Sequence, residues 1–476
     1  MKTKHRTLTL IAATLFAAHT ASAQVIDCVC ESTYEVGDRV VALVDDPSSA
    51  NGLPSGSLGT VICGFSPGSI EILIRWDDWG NGFAENKLFC NCAVSPGGGT
   101  SGDWGVACAE IELFTPVTNI TQGTDHVTIA DGIATSNPGD VLELDAHTFT
   151  ERGLILDNRD ITIRGQGPDL TIIDGGSLAP RIFDFSNGDE STIEGVTIQN
   201  GLADSGDGGA AARVLGSGTS VTFDDVQFLG NDAGPLTFGA LSIEIEAHAT
   251  LKNCFFANNA AGSGEATDIG VLEGQLTAFN SVFGQSQTGY NNIYFQDGIS
   301  PAFGLFINCS FGATAKTHHV IAFGPNAIVQ LANCIFTASA SDNLSSVNGS
   351  IILPTSSVFP NATGDNIDGV PTFVDPANGD YRLAPGSLGI DAANYDIYAA
   401  GGGELTDLAG NFRLSDDPGI LNTGIGGSGM LDCGAFEFQS SSPSQAQCPG
   451  DLDNDGDTDL GDFTILASDF GCSPTP

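Results

Sequence analysis

The sequence predicts an all-β protein whose largest part is a right-handed parallel β-helix, a solenoid of stacked coils. A four-residue pattern recurs six times between Gly195 and Phe336, and its second residues lie 25 to 30 positions apart. Apolar or small residues occupy its second and fourth positions, which is the alternation of a strand with one buried side. The six copies are 195–198, 225–228, 253–256, 280–283, 308–311 and 333–336.

Coils of this kind stack at about 4.8 Å, so equivalent side chains should form ladders along the solenoid. The second residues (Val, Val, Cys, Ser, Cys, Cys) and the fourth residues (Ile and five Phe) should therefore point inward. The first residue is Asn in four copies, and we expect it to lie at a turn of the coil and to cap backbone groups. A β-sandwich of short strands would leave the recurrence of one tetrapeptide unexplained.

The N-terminus has the pattern of a secretory signal peptide. Lys2, Lys4 and Arg6 precede an apolar run at 8–18 and small residues at 21–23. We expect cleavage after residue 23 and a product that is secreted or held at the cell surface or in the periplasm. No later apolar run reaches the roughly 18 residues that a membrane helix needs.

Composition excludes one class of partner. The chain of 476 residues has a formal net charge of −43, and it is 41% hydrophobic with 62 glycines. It can therefore bury a large core, and its length predicts more than one domain. Its charge repels nucleic acid, and it repels polyuronates unless divalent cations intervene. We therefore exclude nucleic-acid binding.

Residues 28–114 contain short strands separated by turns, as in a small β-barrel. The predicted strands are 37–44, 58–63, 71–76 and 104–108. Their order and the residues around Gly59 resemble SH3-like barrels, with an insert at 81–102 before the last strand. The resemblance implies that Trp76, Trp79 and Trp104 form a peptide-binding face, although core tryptophans of a small domain remain the alternative.

Residues 124–438 are predicted to form the β-helix. A short helix at 126–133, a turn and a first strand at 141–144 should open it, with the helix covering an exposed end of the core. The segments 137–141 and 161–165 resemble the pectin-lyase-like β-helix superfamily. The segments 371–376, 379–383 and 432–438 resemble the end region of secreted bacterial β-helix-repeat proteins. This resemblance implies a fold and no particular activity.

The twelve cysteines fall into three groups. Export permits disulfides, so the six early cysteines allow up to three bridges, and Cys448 with Cys472 would close the last motif. Cys254, Cys309 and Cys334 occupy a ladder position, where we expect them to be small buried residues. Cys433 has no obvious partner in the sequence. The early six are Cys28, Cys30, Cys63, Cys90, Cys92 and Cys108.

Residues 448–472 follow a linker at 439–447 and contain regularly spaced carboxylates. With Asp451 as position 1 of a loop, Gly456 falls at position 6. EF-hand loops use oxygen ligands at positions 1, 3, 5, 7, 9 and 12 and glycine at position 6. An acidic disordered tail would not explain this coincidence. The predicted Ca²⁺ ligands are Asp451, Asp453, Asp455, Asp457 through its carbonyl, Asp459 and Asp462.

This loop also resembles a dockerin repeat. Aspartate at position 12 and the apolar spacing of Leu460, Phe463 and Leu466 carry the resemblance, which implies Ca²⁺ as cofactor and a short helix at 460–470. Dockerins ordinarily have two such repeats packed together. The single repeat here argues against cohesin docking.

The sequence does not clearly indicate a catalytic site. A β-helix lyase needs a Lys or Arg base, and a β-helix hydrolase needs two or three close aspartates. The Lys and Arg residues of 124–438 share no position of the repeat. Asp224 and Asp225 are adjacent on a coil strand, and with Asp204 and Asp207 they would line a groove for calcium or hydrolysis. Surface turn aspartates are the alternative.

The sequence thus favours an exported calcium-binding β-helix protein without catalytic activity, attached to a surface or bound to a polysaccharide or a cell-surface protein. The alternative is a polysaccharide lyase or a glycoside hydrolase on the same scaffold. Close carboxylates, or a Lys or Arg beside bound Ca²⁺, in one groove would favour the enzyme.

Overall fold

The computed structural model divides the chain into two compact units, Met1–Phe149 and Thr150–Pro476. None of the helices in the described part of the chain has the length and apolar character needed to cross a membrane. The description covers the backbone of five early strands and residues 115–439 without 204–207, 235–237, 262–265, 287–290, 313–315, 340–341 and 427–428.

The first unit contains a five-stranded antiparallel sheet in the order β4-β3-β2-β1-β5. The second and third strands match the predicted ranges, and β1 lies inside the predicted strand 37–44. Residues 81–102 were predicted to be an insert between strands. Strand β4 lies within this range and extends the sheet beside β3. The predicted strand 104–108 lies outside the described residues. The strands are β1 Arg39–Ala42, β2 Leu58–Cys63, β3 Glu71–Trp76, β4 Leu88–Asn91 and β5 Ile111–Leu113.

The same unit ends with a helix and a strand. The helix was predicted at 126–133 but runs over Ile129–Thr135, because Thr124–His126 form a strand, whereas the predicted strand 141–144 is confirmed. Helix α1 begins after Thr128, whose side chain accepts a hydrogen bond from the Asp131 amide, and it buries Ile129 and Ile133. Strand β6 pairs antiparallel with both β7 and β8. The elements are β6 Val117–Asn119, β7 Thr124–His126, α1 Ile129–Thr135, β8 Val141–Leu144 and β9 Thr148–Phe149.

The second unit is a parallel β-solenoid of about seven turns, which confirms the predicted fold class. Each turn contributes a strand to three sheets, here called A, B and C. Sheet A has eight parallel strands. They are β10 Leu154–Asp157, β13 Phe183–Ser186, β15 Ala212–Leu215, β17 Leu241–Glu244, β20 Ala266–Leu272, β23 Asn291–Gln296, β26 Val320–Phe323 and β29 Leu344–Val347.

Sheets B and C are continuous because β14 (Thr192–Gln199) and β16 (Ser220–Leu229) each bend from one into the other. The further strands of sheet B are β11 Thr162–Arg164, β18 His248–Lys252, β21 Gln275–Phe279, β24 Ala302–Ile307, β27 Ala327–Ala332 and β30 Ile351–Thr355. Those of sheet C are β12 Ile172–Asp174, β19 Phe255–Ala257, β22 Val282–Phe283, β25 Ser310–Phe311, β28 Ile335–Phe336, β31 Val358–Phe359 and β32 Ile367–Asp368.

The recurring tetrapeptide lies where sheet B bends into sheet C, and its inward residues form the predicted ladders. The fourth residues stack as rings, with centroids 4.4 Å apart for Phe228 and Phe256 and 4.5 Å apart for Phe311 and Phe336. The second residues are also buried, and Cys254, Cys309 and Cys334 are free thiols with no exposed surface. Burial raises the pKa of the Cys254 thiol, so these cysteines are packing residues.

The first residue of the repeat lies at a turn, as predicted. Asn253, Asn280, Asn308 and Asn333 have φ between 46° and 54°, the left-handed region that asparagine tolerates. Two of them cap backbone groups, as expected. The Asn308 Nδ2 donates to the carbonyl of Asp432 at 2.8 Å, and the Asn333 Oδ1 accepts from the Asn394 amide at 2.8 Å. Both capped groups belong to residues 371–438.

We call residues 371–438 the C-terminal segment. It contains β33 (Phe373–Asp375) and β34 (Asp380–Leu383), which pair antiparallel, a 3₁₀ turn at Pro376–Asn378 and helix α2 (Tyr395–Ala400). Its buried residues form one core with outward residues of sheets B and C, because apolar outward positions there require cover. That core includes Tyr381, Tyr398, Leu431 and Cys433 from the segment and Val282, Ile307, Ile335 and Val358 from the solenoid.

Candidate functional site

The outward surface of sheet B carries a column of threonines. Strand pairing places Thr162, Thr192, Thr222, Thr250 and Thr277 directly beside one another, one in each successive turn. Every one of them is half-buried, since inward and outward residues alternate along each strand. The column presents a regular row of hydroxyl groups about 4.8 Å apart on a flat sheet.

A charged column runs alongside the threonines. Arg164, Glu194, Asp224 and Lys252 occupy equivalent positions in four successive turns. Arg164 forms an ion pair with Glu194. The basic residues were expected to share no position of the repeat, and this is wrong for Arg164 and Lys252, since strand pairing places both in this column.

A pocket of about 130 Å³ lies at the end of the charged column. It is lined by Lys252, Asn253, Phe279, Asn280 and the loop 401–404 of the C-terminal segment. The amide Nδ2 of Asn253 donates to Asp224 Oδ1 at 3.4 Å and to Glu404 Oε2 at 3.1 Å. One amide therefore joins a carboxylate of the solenoid to a carboxylate of the segment. The Asn253 Oδ1 is buried without a hydrogen-bond partner among the described residues.

The electrostatics near the pocket disfavour the charged form of the Asp224 carboxyl. Burial raises the pKa of Asp224, and the neighbouring Glu404 raises it further, while Asn253 and Lys252 act in the opposite direction. Two carboxylates that share one donor repel each other, so a ligand that donates hydrogen bonds relieves the repulsion. The arrangement suits a polyhydroxylated ligand better than an anion.

The predicted Asp224–Asp225 pair does not act as one unit. Asp224 ends the sheet B part of β16 with its side chain beside Asn253, whereas Asp225 turns the chain at φ 53° and is exposed. Partial loss of solvent around its carboxyl, and then the charge of Asp224, raise the pKa of Asp225, so the two charges interact although their side chains have different neighbours. Asp204 and Asp207 lie outside the described residues. Within the described part of the chain, no group of three or more His, Cys, Asp or Glu side chains could hold a metal ion.

The sequence did not indicate Asn253 and Glu404 as site residues, and the threonine column was not predicted. A signal for the column is present, since Thr, an apolar residue and a charged residue precede three copies of the tetrapeptide: 192–194, 222–224 and 250–252. Glu404 has no comparable signal because it reaches the pocket from a segment 151 positions away along the chain.

The predicted calcium ligands, Asp451, Asp453, Asp455, Asp457, Asp459 and Asp462, lie outside the described residues. The loop therefore stays a prediction, as do the signal peptide and the disulfides of the early cysteines. Cys433 is described, and it is a buried free thiol whose Sγ lies 3.4 Å from the carbonyl oxygen of Ser356.

Comparison with known proteins finds a distant similarity to solved structures. The sequence matches no family model and no curated protein. Pectin methylesterase PemA from Erwinia chrysanthemi is a similar solved structure, with 11% identity and a TM-score of 0.33, over 53% of this chain and 91% of that one. A pectin methylesterase in complex with hexasaccharide VII also has 11% identity, with a TM-score of 0.32, over 56% of this chain and 96% of that one. At such identity the similarity concerns the fold alone.

Proposed function

We propose that this chain is an exported, non-catalytic polysaccharide-binding protein and that a neutral glycan binds along the outward surface of sheet B. The observation that carries the proposal is the Asn253 amide shared by Asp224 and Glu404, beside Lys252 and next to the threonine column. Carboxylate, amide, ammonium and hydroxyl groups are complementary to the many hydroxyls of a sugar chain.

The column and the pocket have different parts in this proposal. The threonine hydroxyls both donate and accept hydrogen bonds, and their regular spacing suits a ligand that is itself a repeating chain. The pocket gives one fixed point along that chain. Phe279 supplies an apolar wall, against which the CH face of a sugar ring can pack.

Charge decides between neutral and acidic glycans. Glu404 and Lys252 line the pocket, and Asp224 lies next to it as a partner of Asn253, so two carboxylates act against one ammonium group. The whole chain has a net charge of −43, so the long-range field also repels polyuronates. A neutral polysaccharide is repelled neither by the carboxylates near the pocket nor by the net charge of the chain.

Size favours binding over catalysis. Sites that enclose a small molecule usually have about 300–1,000 Å³ of space, and this pocket has about 130 Å³. It therefore accommodates one substituent of a sugar and does not enclose the ring and its glycosidic bond. A surface that contacts a sugar without surrounding its glycosidic bond is typical of a binding protein.

A glycoside hydrolase is the second candidate, and one observation favours it. The raised pKa of Asp224 beside Glu404 resembles the pairing of a general acid with a base in such enzymes. In that case Asp224 would donate a proton to the leaving oxygen. Replacement of Asp224 by asparagine would then abolish turnover.

We further propose that the loop 451–462 binds Ca²⁺ and that the modules flanking the solenoid attach the protein to a cell surface or a partner. The position of glycine at 6 together with carboxylates at 1, 3, 5, 9 and 12 supports the ion. The signal peptide pattern supports export into calcium-bearing surroundings.

Glycan binding and turnover can be tested on the same samples. The secreted protein is presented to immobilised glucans, mannans and galactans, with polygalacturonate as the acidic comparison, and release of reducing ends is followed in parallel. We expect binding to at least one neutral glycan, weakening in Asp224→Asn and Lys252→Met, and no release of reducing ends. Arg382→Met is the matched control, because Arg382 is exposed and pairs with Asp380 within its own strand.

Two results would contradict this proposal. Equal glycan affinity of Lys252→Met and wild type would show that the pocket does not contribute to binding. Release of reducing ends that Asp224→Asn abolishes would replace the binding protein by the hydrolase.

A further inference from the structure

The pocket is built jointly by the solenoid and the C-terminal segment. Lys252, Asn253 and Asn280 belong to the solenoid, whereas the loop 401–404 follows helix α2 of the segment. Residues 401–403 are three consecutive glycines, which give the backbone little conformational preference of its own. The position of Glu404 must therefore be fixed by contacts outside the loop.

The amides of Gly401, Gly402 and Gly403 donate to the carbonyls of Ile397, Ala399 and Tyr398, which holds the glycines against the end of helix α2. One buried hydroxyl then contacts Glu404 itself. Tyr398 is 2% exposed, and its hydroxyl donates to the Glu404 carbonyl at 2.9 Å. The Tyr398 hydroxyl oxygen also accepts a hydrogen bond from the Asn280 Nδ2 at 3.3 Å. A hydroxyl has one donor and two acceptor sites, so it can hold both groups at once. The glycines allow the approach, since a Cβ on Gly403 would lie 2.3 Å from the Tyr398 ring.

Arg413 sets the direction in which Asn280 points. Its guanidinium donates to Asn280 Oδ1 at 2.6 Å, and its Cζ lies 5.6 Å from the centre of the Tyr398 ring. Arginine has donors only, so the amide must present its oxygen to Arg413 and its Nδ2 to Tyr398. Glu437 lies on the other side, with Oε2 3.8 Å from the Arg413 Nη1.

We infer that Tyr398 is a positioning residue that fixes Glu404 against Asn253 and so sets the affinity of the pocket, with Arg413 and Asn280 holding the tyrosine hydroxyl in place. This inference rests on the proposed function. The contacts run from Arg413 through Asn280 and the Tyr398 hydroxyl to the Glu404 backbone, and the Glu404 carboxylate then meets Asn253.

The test is a double-mutant cycle on the full secreted chain. Tyr398→Phe removes the hydroxyl and keeps the ring that Arg413 covers. With the neutral glycan that wild type binds best, we expect the dissociation constant to rise about fivefold to tenfold, the effect of one hydrogen bond. Glu404→Ala should weaken binding as well. If the tyrosine acts through Glu404, the double variant binds no more weakly than Glu404→Ala alone.

Tyr395→Phe is the matched control, because Tyr395 lies on the same helix and no hydrogen bond of its hydroxyl is found among the described residues. It should leave the dissociation constant unchanged. Amide hydrogen exchange of residues 401–404 provides a readout that needs no glycan. We expect faster exchange in Tyr398→Phe than in Tyr395→Phe or wild type.

The outcomes separate the inference from the proposed function. Additive effects in the cycle, or unchanged exchange in Tyr398→Phe, would overturn the positioning role while glycan binding stood. A wild-type protein that binds no glycan would overturn the proposed function, and faster exchange at 401–404 would then still support the part of Tyr398 in fixing the loop.

Discussion

Replacing Phe283 by alanine should lower the free energy of unfolding by about 3–5 kcal/mol. Phe283 has no exposed surface and lies inside the phenylalanine ladder. Its ring centroid is 5.3 Å from that of Phe256 and 4.8 Å from that of Phe311, and Phe306 packs edge-on at 6.1 Å. The substitution removes buried apolar surface, leaves a cavity and interrupts the stacking on both sides.

Urea unfolding followed by circular dichroism measures this change, with the m-value showing whether the variants unfold to the same extent. Phe303→Ala is the control, because Phe303 lies on the next turn but is 39% exposed, and we expect a loss below about 1 kcal/mol. Phe283→Leu should fall between the two, since leucine retains most of the volume and loses the stacked ring. Equal losses for Phe283→Ala and Phe303→Ala would refute the view that the ladder stabilises the solenoid.

Three further predictions concern the calcium loop, pH and the turn asparagines. Asp453→Asn should weaken Ca²⁺ binding at least tenfold by calorimetry, and Asp457→Asn should change it little, since position 7 binds through its carbonyl; equal effects would contradict the EF-hand assignment. Burial, and then Asp432, raise the pKa of Glu437 from 4.5 to about 9. The folded chain therefore holds this proton more tightly, and its stabilising effect, complete below pH 4.5, is lost as the pH rises through about 9. Thermal melts between pH 4.5 and about 9 should show this loss in wild type and a smaller one in Glu437→Gln; equal losses would exclude Glu437 as the cause. Asn308→Gly keeps φ 51° accessible but removes the bond to the Asp432 carbonyl, so hydrogen exchange in 371–438 should accelerate; unchanged exchange would deny the amide a docking role.

The fold could be predicted from the sequence where contacts with neighbouring residues or with the next turn determine the residue type. Inward positions such as Cys254 and Phe256 repeat because every turn presents the same environment to the next. A helix here was also readable, but its bounds were not: it was predicted at 126–133 and runs over Ile129–Thr135, because Thr124–His126 pair with β6 and Thr128 caps the helix. The parts that depend on distant residues were not readable. Glu404 and Asn253 meet because the C-terminal segment packs along the solenoid, and no local pattern records that contact.

The polarity of the outward residues determines where the C-terminal segment packs. The third residue of the tetrapeptide is polar in the early copies (Thr197, Gln227) and apolar in most of the later ones (Phe255, Val282, Ile335). The late exception, Ser310, uses its hydroxyl to accept a hydrogen bond from the Ala435 amide of the segment. Exposed apolar residues in consecutive turns would form a hydrophobic stripe, so the segment covers the later turns and leaves the earlier ones open.

The charged column gives way to apolar residues at nearly the same turn. Lys252 is followed in register by Phe279, Ile307 and Ala332, which lie beneath or beside the C-terminal segment. The pocket lies at this change from polar to apolar surface, where the last charged residue of the column meets the first covered one. An edge of this kind brings carboxylates from two separate parts of the chain together while keeping one side open to solvent. The position of the candidate site is therefore a consequence of how far the segment extends along the solenoid, and a change that shifts the segment by one turn would dismantle the pocket while leaving the threonine column intact.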